Sequence, residues 1–270
     1  MAIKKEILHY DENNSPVCRF VIPNQTGDYV ELTNQGCKIS GIHVHKLDGI
    51  MENIAAAAGT LWGGDFVKTL SDKIWTIADE GENSIFLSCE CLSEENAYKV
   101  DLKLGAKVTW VNLNRLIIDY FITPKDKVSV DFSTNLTVNN EERDFFLRSF
   151  CPVVNRASGE VYSVQDTEYK DMTFVPVSCY DRFISPSEDI KPMIELSDKN
   201  SKLRISAYST LSAAQMSSNA DGALTIVCSE EKEVELNAGE TLASRVIFGF
   251  DYIEDVVPDD NEPNPFSCFL

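Results

Sequence analysis

A two-residue alternation of apolar and polar side chains recurs along most of the chain, in short runs rich in Val, Ile, Phe and Tyr. This period is that of a β-strand, in which successive side chains point to opposite faces. Turn-forming residues separate the runs, as in KLDG, ITPKDK, SDKNSK and LNAG. The pattern therefore predicts an all-β protein, a sandwich or a barrel-like pair of sheets joined by hairpins and short connections.

The run VDFSTNLTVNN (130–140) raises a question about one of its two faces. Its apolar residues share one parity, and the other parity carries the hydrogen-bonding residues Asp131, Ser133, Asn135 and Thr137. On a strand the apolar face packs against the core. The polar face meets either water or a ligand.

The charge balance limits the partners of this chain. Its 270 residues include 24 Lys and Arg against 43 Asp and Glu, which gives a formal charge of −19. Such a chain repels phosphate, so we expect neither nucleic acid nor an anionic membrane as a partner. No run approaches the roughly 18 apolar residues of a spanning helix, and the first residues lack the apolar core of a signal peptide. The predicted location is the cytoplasm.

The length favours one large domain, because all-β domains often reach this size. We predict a single domain over residues 1–270, with an acidic, Pro-rich tail from about 256 to 270. The eight cysteines lack a CxxC pair and lie mostly in apolar runs, which indicates reduced, buried thiols. His43 and His45 share one side of a strand, but the sequence reveals no third ligand, so no metal is predicted. The sequence leaves the oligomeric state open.

Four stretches follow one another in a characteristic order. They are YVELTNQGCKISGIHVHKLDG, LWGGDFVKTLSDKIWTI, AKVTWVNLNRLIIDYFITPKDKVSVDFSTNLTV and CYDRFISP, with the hairpin LNAGETLASRVIFGF after the last. In this order and spacing the chain resembles the galactose mutarotase-like (aldose 1-epimerase) superfamily, over residues 28 to 250 or so. Trp62 stands where the family has a histidine before two glycines, and the family's Asn-Arg segment before that turn is missing.

The resemblance implies a large antiparallel β-sandwich of galactose mutarotase type, whose concave sheet holds a sugar. In active family members a glutamate takes the proton of the anomeric hydroxyl and a histidine protonates the ring oxygen. The ring then opens, C1 turns and the ring closes as the other anomer. This chemistry requires an acid and a base on opposite sides of one hemiacetal, and it requires no metal or organic cofactor.

The resemblance places Asn135 at the position of the acid histidine. An amide can donate a hydrogen bond to a ring oxygen but cannot release a proton at accessible pH. Glu230 is the candidate base by its spacing from Cys228, while another register puts Thr225 or Ile226 there and leaves no base.

Four further residues are candidates for sugar binding, each with a purely structural alternative. Asp181 in CYDRF matches the family's sugar-binding aspartate, or it caps backbone amides before a bend. Arg182 follows it where a histidine usually stands. Trp62 is either a platform for a sugar ring or a core aromatic. Arg148 lies among apolar residues and needs either a carboxylate or a ligand hydroxyl as its partner.

Three functions remain open from the sequence. The first is an aldose 1-epimerase-like enzyme with a rearranged acid. The second is a sugar-binding protein of the same fold without catalysis, because the histidine is lost at Asn135. The third is an unrelated β-sandwich interaction module. Under the family interpretation, Asn135, Asp181, Trp62 and Glu230 should line one cleft.

Overall fold

The computed structural model describes residues 2–56, 59–64, 66–139, 144–174, 180–218 and 223–254. The predicted tail lies outside this described part of the chain. The described chain is almost entirely β, which confirms the predicted fold class. Its helical elements are α1 (Phe66–Leu70) and two 3-10 turns, Val164–Asp166 and Glu168–Lys170. No helix in these ranges has the length and apolar character needed to cross a membrane.

The N-terminal sheet has six strands. They are β1 (Lys4–Tyr10), β2 (Pro16–Pro23), β3 (Tyr29–Thr33), β4 (Lys38–His45), β5 (Met51–Asn53) and β6 (Gly59–Thr60). The first five lie in chain order, each antiparallel to the next, and β6 pairs with β4.

The central sheet has nine antiparallel strands in the order β16-β13-β18-β19-β23-β10-β9-β8-β7. Their bounds are β7 (Thr76–Glu80), β8 (Ser84–Cys91), β9 (Leu102–Val111), β10 (Arg115–Pro124), β13 (Phe145–Ser149), β16 (Thr173–Phe174), β18 (Lys191–Asp198), β19 (Leu203–Ser209) and β23 (Leu242–Tyr252). In β10, Leu116, Ile118, Tyr120 and Ile122 are fully buried while the alternate residues are partly exposed, as period-two patterning predicts.

A third sheet, called the site sheet below, has six antiparallel strands in the order β12-β21-β20-β17-β14-β15. Its strands are β12 (Ser133–Asn139), β14 (Val153–Asn155), β15 (Val161–Ser163), β17 (Arg182–Ile184), β20 (Ala213–Ser218) and β21 (Ala223–Ser229). A small ribbon pairs β11 (Val128–Val130) with β22 (Val234–Leu236).

The chain between the N-terminal sheet and α1 lies along the free edge of β12. Ala55 forms a bridge with Val138, and Trp62 forms one with Thr134. One continuous core of buried apolar side chains draws on all three large sheets. The six described cysteines are buried free thiols, as the sequence predicts for them, and Cys179 and Cys268 lie outside the described residues.

Candidate functional site

One face of the site sheet is polar and half-buried. Strand register aligns Asn135 with Val227, Val227 with Gln215, Gln215 with Arg182, and Arg182 with Asn155. Residues directly opposite each other on paired strands share a face, so these five side chains form one row across five strands. All five are half-buried.

Flanking rows extend this surface, which we call the polar face. Thr137, Thr225 and Ser217 lie on one side of the row, and Ser133 and Ser229 on the other. The hydroxyls of Thr137 and Thr225 are 3.0 Å apart and hydrogen-bonded. Among the described strand residues that share this face, none is Asp, Glu, His or Lys.

Asn135 is held at the edge of the polar face by the segment that contains Gly63. The Asn135 N–H donates to the Leu61 carbonyl at 3.1 Å, and the Gly63 N–H donates to the Ser133 carbonyl at 2.8 Å. A Cβ at residue 63 would overlap the Ser133 hydroxyl and lie 2.8 Å from Asn135 Oδ1. Within the described residues the Asn135 amide forms no side-chain hydrogen bond, so both its donor and its acceptor remain available.

Arg182 reaches across the polar face from β17. Its Nη2 donates to Ser229 Oγ at 3.0 Å and to the Glu230 backbone carbonyl. Arg182 is on β17 and Ser229 is on β21, and β20 lies between these two strands. The guanidinium therefore passes over β20. Both contacts fix the position of this cation on the face.

Glu230 follows β21 at the rim of the polar face. Its carboxylate accepts hydrogen bonds from the Ser212 hydroxyl at 2.7 Å and the Ser212 N–H at 3.4 Å. The residue opposite Asn135 on β21 is Val227, which has no titratable group. In the alternative register, Thr225 lies on the face and Ile226 is fully buried. The base role of Glu230 stays a prediction.

The Asp181 carboxylate is engaged by protein groups. Its carboxylate accepts from Arg156 Nη1 at 2.7 Å, from the Ala157 N–H at 2.9 Å and from the Tyr169 hydroxyl at 2.8 Å. Burial raises the pKa of Asp181, but the bonds from Ala157, Tyr169 and Arg156 outweigh it and hold the pKa below its usual range. The alternative interpretation, a carboxylate that caps the backbone before a bend, is the one that the geometry supports.

Trp62 is a core residue, which is the structural alternative that the sequence left open beside a sugar platform. Its side chain is fully buried, with ring centroids 5.4 Å from Trp75 and 5.2 Å from Tyr120. Since neighbouring residues of an extended chain point to opposite sides, Gly63 faces Asn135 and Trp62 faces the core.

Arg148 lies outside the polar face. It lies on β13 of the central sheet, 3.7 Å from Glu195, with its guanidinium 4.7 Å from the centre of the Phe150 ring. The partner that its burial requires is therefore a carboxylate of the protein.

The histidines of β4 lie on the N-terminal sheet and are engaged there. The His43 ring stacks on Tyr29 with centroids 4.2 Å apart, and His45 Nδ1 is 2.6 Å from Asp28 Oδ1. Burial lowers the pKa of His43 and outweighs the opposite effect of Glu31. Within the described residues, no group of three His, Cys, Asp or Glu side chains is arranged to hold a metal.

Three residues of the polar face region escaped the sequence analysis. Gln215 and Asn155 join the central row only through strand register. Tyr180 is 52% exposed, and its carbonyl accepts from Gln215 Nε2 at 2.9 Å. Tyr180 has the parity of Arg182, so CYDRF already contained the signal for an aromatic beside that arginine.

The four residues expected in one cleft therefore do not lie together. Asn135 lies on the polar face and Glu230 at its rim, whereas Trp62 points into the core and Asp181 binds the Arg156 and Tyr169 side chains. The candidate site that remains is built from amides, hydroxyls and one guanidinium.

Several solved structures share this architecture. A GalM/aldose epimerase homologue from C. elegans is 11% identical, with 88% of this chain and 100% of that chain covered at a TM-score of 0.74. The galactose 1-epimerase of Lactobacillus acidophilus NCFM is 13% identical, with 93% and 99% covered and a TM-score of 0.74. A galactose mutarotase-like protein from Lactobacillus casei is 11% identical, with 86% and 100% covered and a TM-score of 0.64.

The class that these observations define is an antiparallel β-sandwich with a polar face on one of its sheets. In particular, the chain has the galactose mutarotase fold, which confirms at the level of the fold the resemblance seen in the sequence. No protein-family model and no curated protein sequence matches the chain. Identities of 13% or less fit a strongly divergent sequence on this fold.

Proposed function

We propose that this protein binds a small sugar on the polar face and does not interconvert its anomers. The observation that carries the proposal is the composition of that face, on which Asn135, Gln215 and Asn155 align in one row with Arg182. Amides both donate and accept hydrogen bonds, as sugar hydroxyls do, so the two are complementary. The fold supports the same substrate class, since neighbours with this architecture are named as galactose 1-epimerase and aldose epimerase homologue.

Burial strengthens this proposal. Half-buried polar groups without protein partners lose part of their hydration, and a ligand that hydrogen-bonds to them compensates for that loss. The amides of Asn135 and Asn155 are in this position, judged from the contacts of the described residues. The Tyr180 carbonyl accepts from Gln215 of the row, and the exposed Tyr180 side chain is of a type suited to the apolar face of a sugar.

The chemistry of the face argues against epimerase activity. Ring opening requires a proton donor and a proton acceptor on opposite sides of the sugar, and general acid catalysis is typically worth about 10²–10⁴-fold in rate. Asn135 has no proton to give, and Val227 lies opposite it. Two carboxylates flank strands of the face in the chain: Glu230, bonded to Ser212, and Asp131, which is exposed and precedes β12.

Sugar binding is tested by ligand-observed NMR with a panel of mono- and disaccharides. We expect saturation transfer from the wild-type protein and a clear loss with Asn135→Ala. Asn13→Ala, at the exposed β1–β2 turn, is the matched control and should behave as the wild type. Absence of saturation transfer across the panel would overturn the proposal.

Catalysis is tested separately by polarimetry on freshly dissolved α-D-glucose and α-D-galactose. At micromolar protein we expect the approach to equilibrium to match that in buffer. Faster mutarotation would contradict the non-catalytic part of the proposal and favour the epimerase alternative, in which Glu230 is the base. Glu230→Gln would then abolish the acceleration.

The proposed location is the cytoplasm. Six described cysteines are buried and unpaired, and thiols persist most readily in a reducing compartment. Cells lysed under denaturing conditions in the presence of a thiol-alkylating reagent should yield the protein with these cysteines labelled. Such labelling shows that the cysteines are reduced in the cell.

A further inference from the structure

Arg182 differs from every other arginine that the structure describes. Each of the other six has a carboxylate within ion-pair distance: Arg19, Arg115, Arg148, Arg156, Arg204 and Arg245. Arg182 has none among the described residues. In a chain with 43 Asp and Glu against 24 Lys and Arg, a half-buried arginine without an acidic partner is a specific feature of the polar face.

The protein fixes this guanidinium without neutralising it. The two acceptors at Nη2 are a hydroxyl and a backbone carbonyl, both uncharged. A guanidinium carries five N–H donors in a planar fork, so the Nε and Nη1 donors remain for other partners. Such a fork matches a carboxylate or a phosphate, and charge-assisted bonds of this type are about twice as strong as neutral ones.

The position of Arg182 also suits a ligand that contacts Asn135. Ser229, to which the guanidinium is anchored, pairs with Ser133 and is therefore the diagonal neighbour of Asn135. Diagonal neighbours on paired strands lie roughly 7–8 Å apart. One monosaccharide with a charged substituent can reach both groups.

We infer that the ligand is an anionic sugar whose carboxylate or phosphate group binds Arg182 while its hydroxyls bind the amide row. The inference rests on the proposed function and gives it a substrate class. The formal charge of −19 opposes anions at long range, but salt screens such repulsion beyond about 8 Å at physiological ionic strength. The contact with Arg182 acts at hydrogen-bond distance.

Isothermal titration calorimetry with matched ligands tests this inference. D-glucuronate and D-galacturonate supply a carboxylate, D-glucose 6-phosphate supplies a phosphate ester, and D-glucose and D-galactose are the neutral counterparts. We expect at least one anionic sugar to bind about tenfold or more tightly than its neutral counterpart, with an affinity that falls as salt is added. The arm that binds identifies which anionic group the site takes.

Variants with the same change in charge locate the effect. Arg182→Gln should abolish the preference for the anionic sugar, and Arg182→Lys should restore only part of that preference because an ammonium lacks the planar fork. Arg245→Gln removes an equal charge on the central sheet, where Arg245 pairs with Asp119, and should leave the preference unchanged.

The outcomes separate the two proposals. Equal affinity for neutral and anionic sugars, or equal effects of Arg182→Gln and Arg245→Gln, would overturn the inference and leave sugar binding intact. Failure of both sugar classes to bind would overturn the proposed function together with the inference. If Arg182→Gln does not fold, the wild-type preference and its salt dependence still decide the question.

Discussion

Gly63 is the residue at which the polar face is most easily blocked. Its backbone lies so close to β12 that a methyl group there would meet the Ser133 hydroxyl and the Asn135 amide. We expect Gly63→Ala to cost about 1–3 kcal/mol of stability, as overpacking typically does, and to weaken sugar binding. Urea unfolding and calorimetric titration measure the two effects.

The Gly63→Ala/Ser133→Ala double variant is the control for that steric explanation. Removal of the hydroxyl makes room for the new methyl group, so the double variant should recover part of the stability that Gly63→Ala loses. Such coupling between contacting residues is commonly 0.5–3 kcal/mol. If the double variant instead loses as much stability as the two single variants together, overlap with Ser133 is not the cause.

The adjacent residues Asp181 and Arg182 show how far sequence reasoning reaches at this scale. The segment CYDRF identified both as candidates, yet on an extended chain neighbouring side chains point to opposite faces. In the structure Arg182 lies on the polar face, and Asp181 binds the Arg156 and Tyr169 side chains. Parity predicts that the two roles differ, but the partners that assign them come from distant parts of the chain.

Among the structural elements, the join between β17 and the β14–β15 hairpin depends on Asp181. Its carboxylate binds Arg156 and the Ala157 N–H at the hairpin turn and the Tyr169 hydroxyl of the second 3-10 turn. Asp181→Asn keeps the shape but removes the charge. We expect a loss of about 1–3 kcal/mol at pH 7, since hydrogen bonds to charged groups are worth more than neutral ones.

This effect has a defined pH dependence. The pKa of Asp181 in the folded protein lies below its ordinary value of 3.8, so its stabilisation is present above that pH and disappears as the pH falls further. The stability difference between wild type and Asp181→Asn should therefore shrink below about pH 4 in urea unfolding. Glu254→Gln, which removes an exposed carboxylate, should show no comparable trend.

The site sheet also shows why a strand could be predicted from sequence while part of the site could not. The alternation in 130–140 correctly identified a strand with one polar face. Its partner β21, and β20 on the far side of β21, lie far along the chain, and alternation carries no information about which strands become neighbours. Gln215 and Asn155 therefore became visible only through register.

Over the whole molecule, Trp62 connects the N-terminal segment to the central core. Its ring contacts Phe66, Trp75, Tyr120 and Phe132, and Tyr120 belongs to the central sheet. The Gly-flanked turn left a sugar platform and a core aromatic both open, and burial of a large aromatic surface favours the core. The domain count from sequence, one domain over residues 1–270, stays a prediction.

A paired substitution distinguishes a core tryptophan from a sugar platform. Trp62→Leu should reduce the free energy of unfolding by a few kcal/mol, since a buried Trp→Ala change costs roughly 3–5 kcal/mol. It should leave the sugar affinity of the folded protein unchanged. Tyr180→Ala should do the opposite, because Tyr180 is half exposed and its backbone is bonded to Gln215 of the amide row. We expect its stability within about 0.5 kcal/mol of wild type and its affinity lowered roughly 3- to 10-fold.

The measurements are urea unfolding for stability and calorimetric titration, corrected for the folded fraction, for affinity. Trp75→Leu is the matched control, since Trp75 is equally buried and packs against Trp62. If Trp62→Leu weakens sugar binding while Trp75→Leu does not, Trp62 contributes to sugar binding directly and is more than a core residue. If both core variants retain the affinity and Tyr180→Ala loses it, the aromatic surface of the site lies at Tyr180, two residues before Arg182.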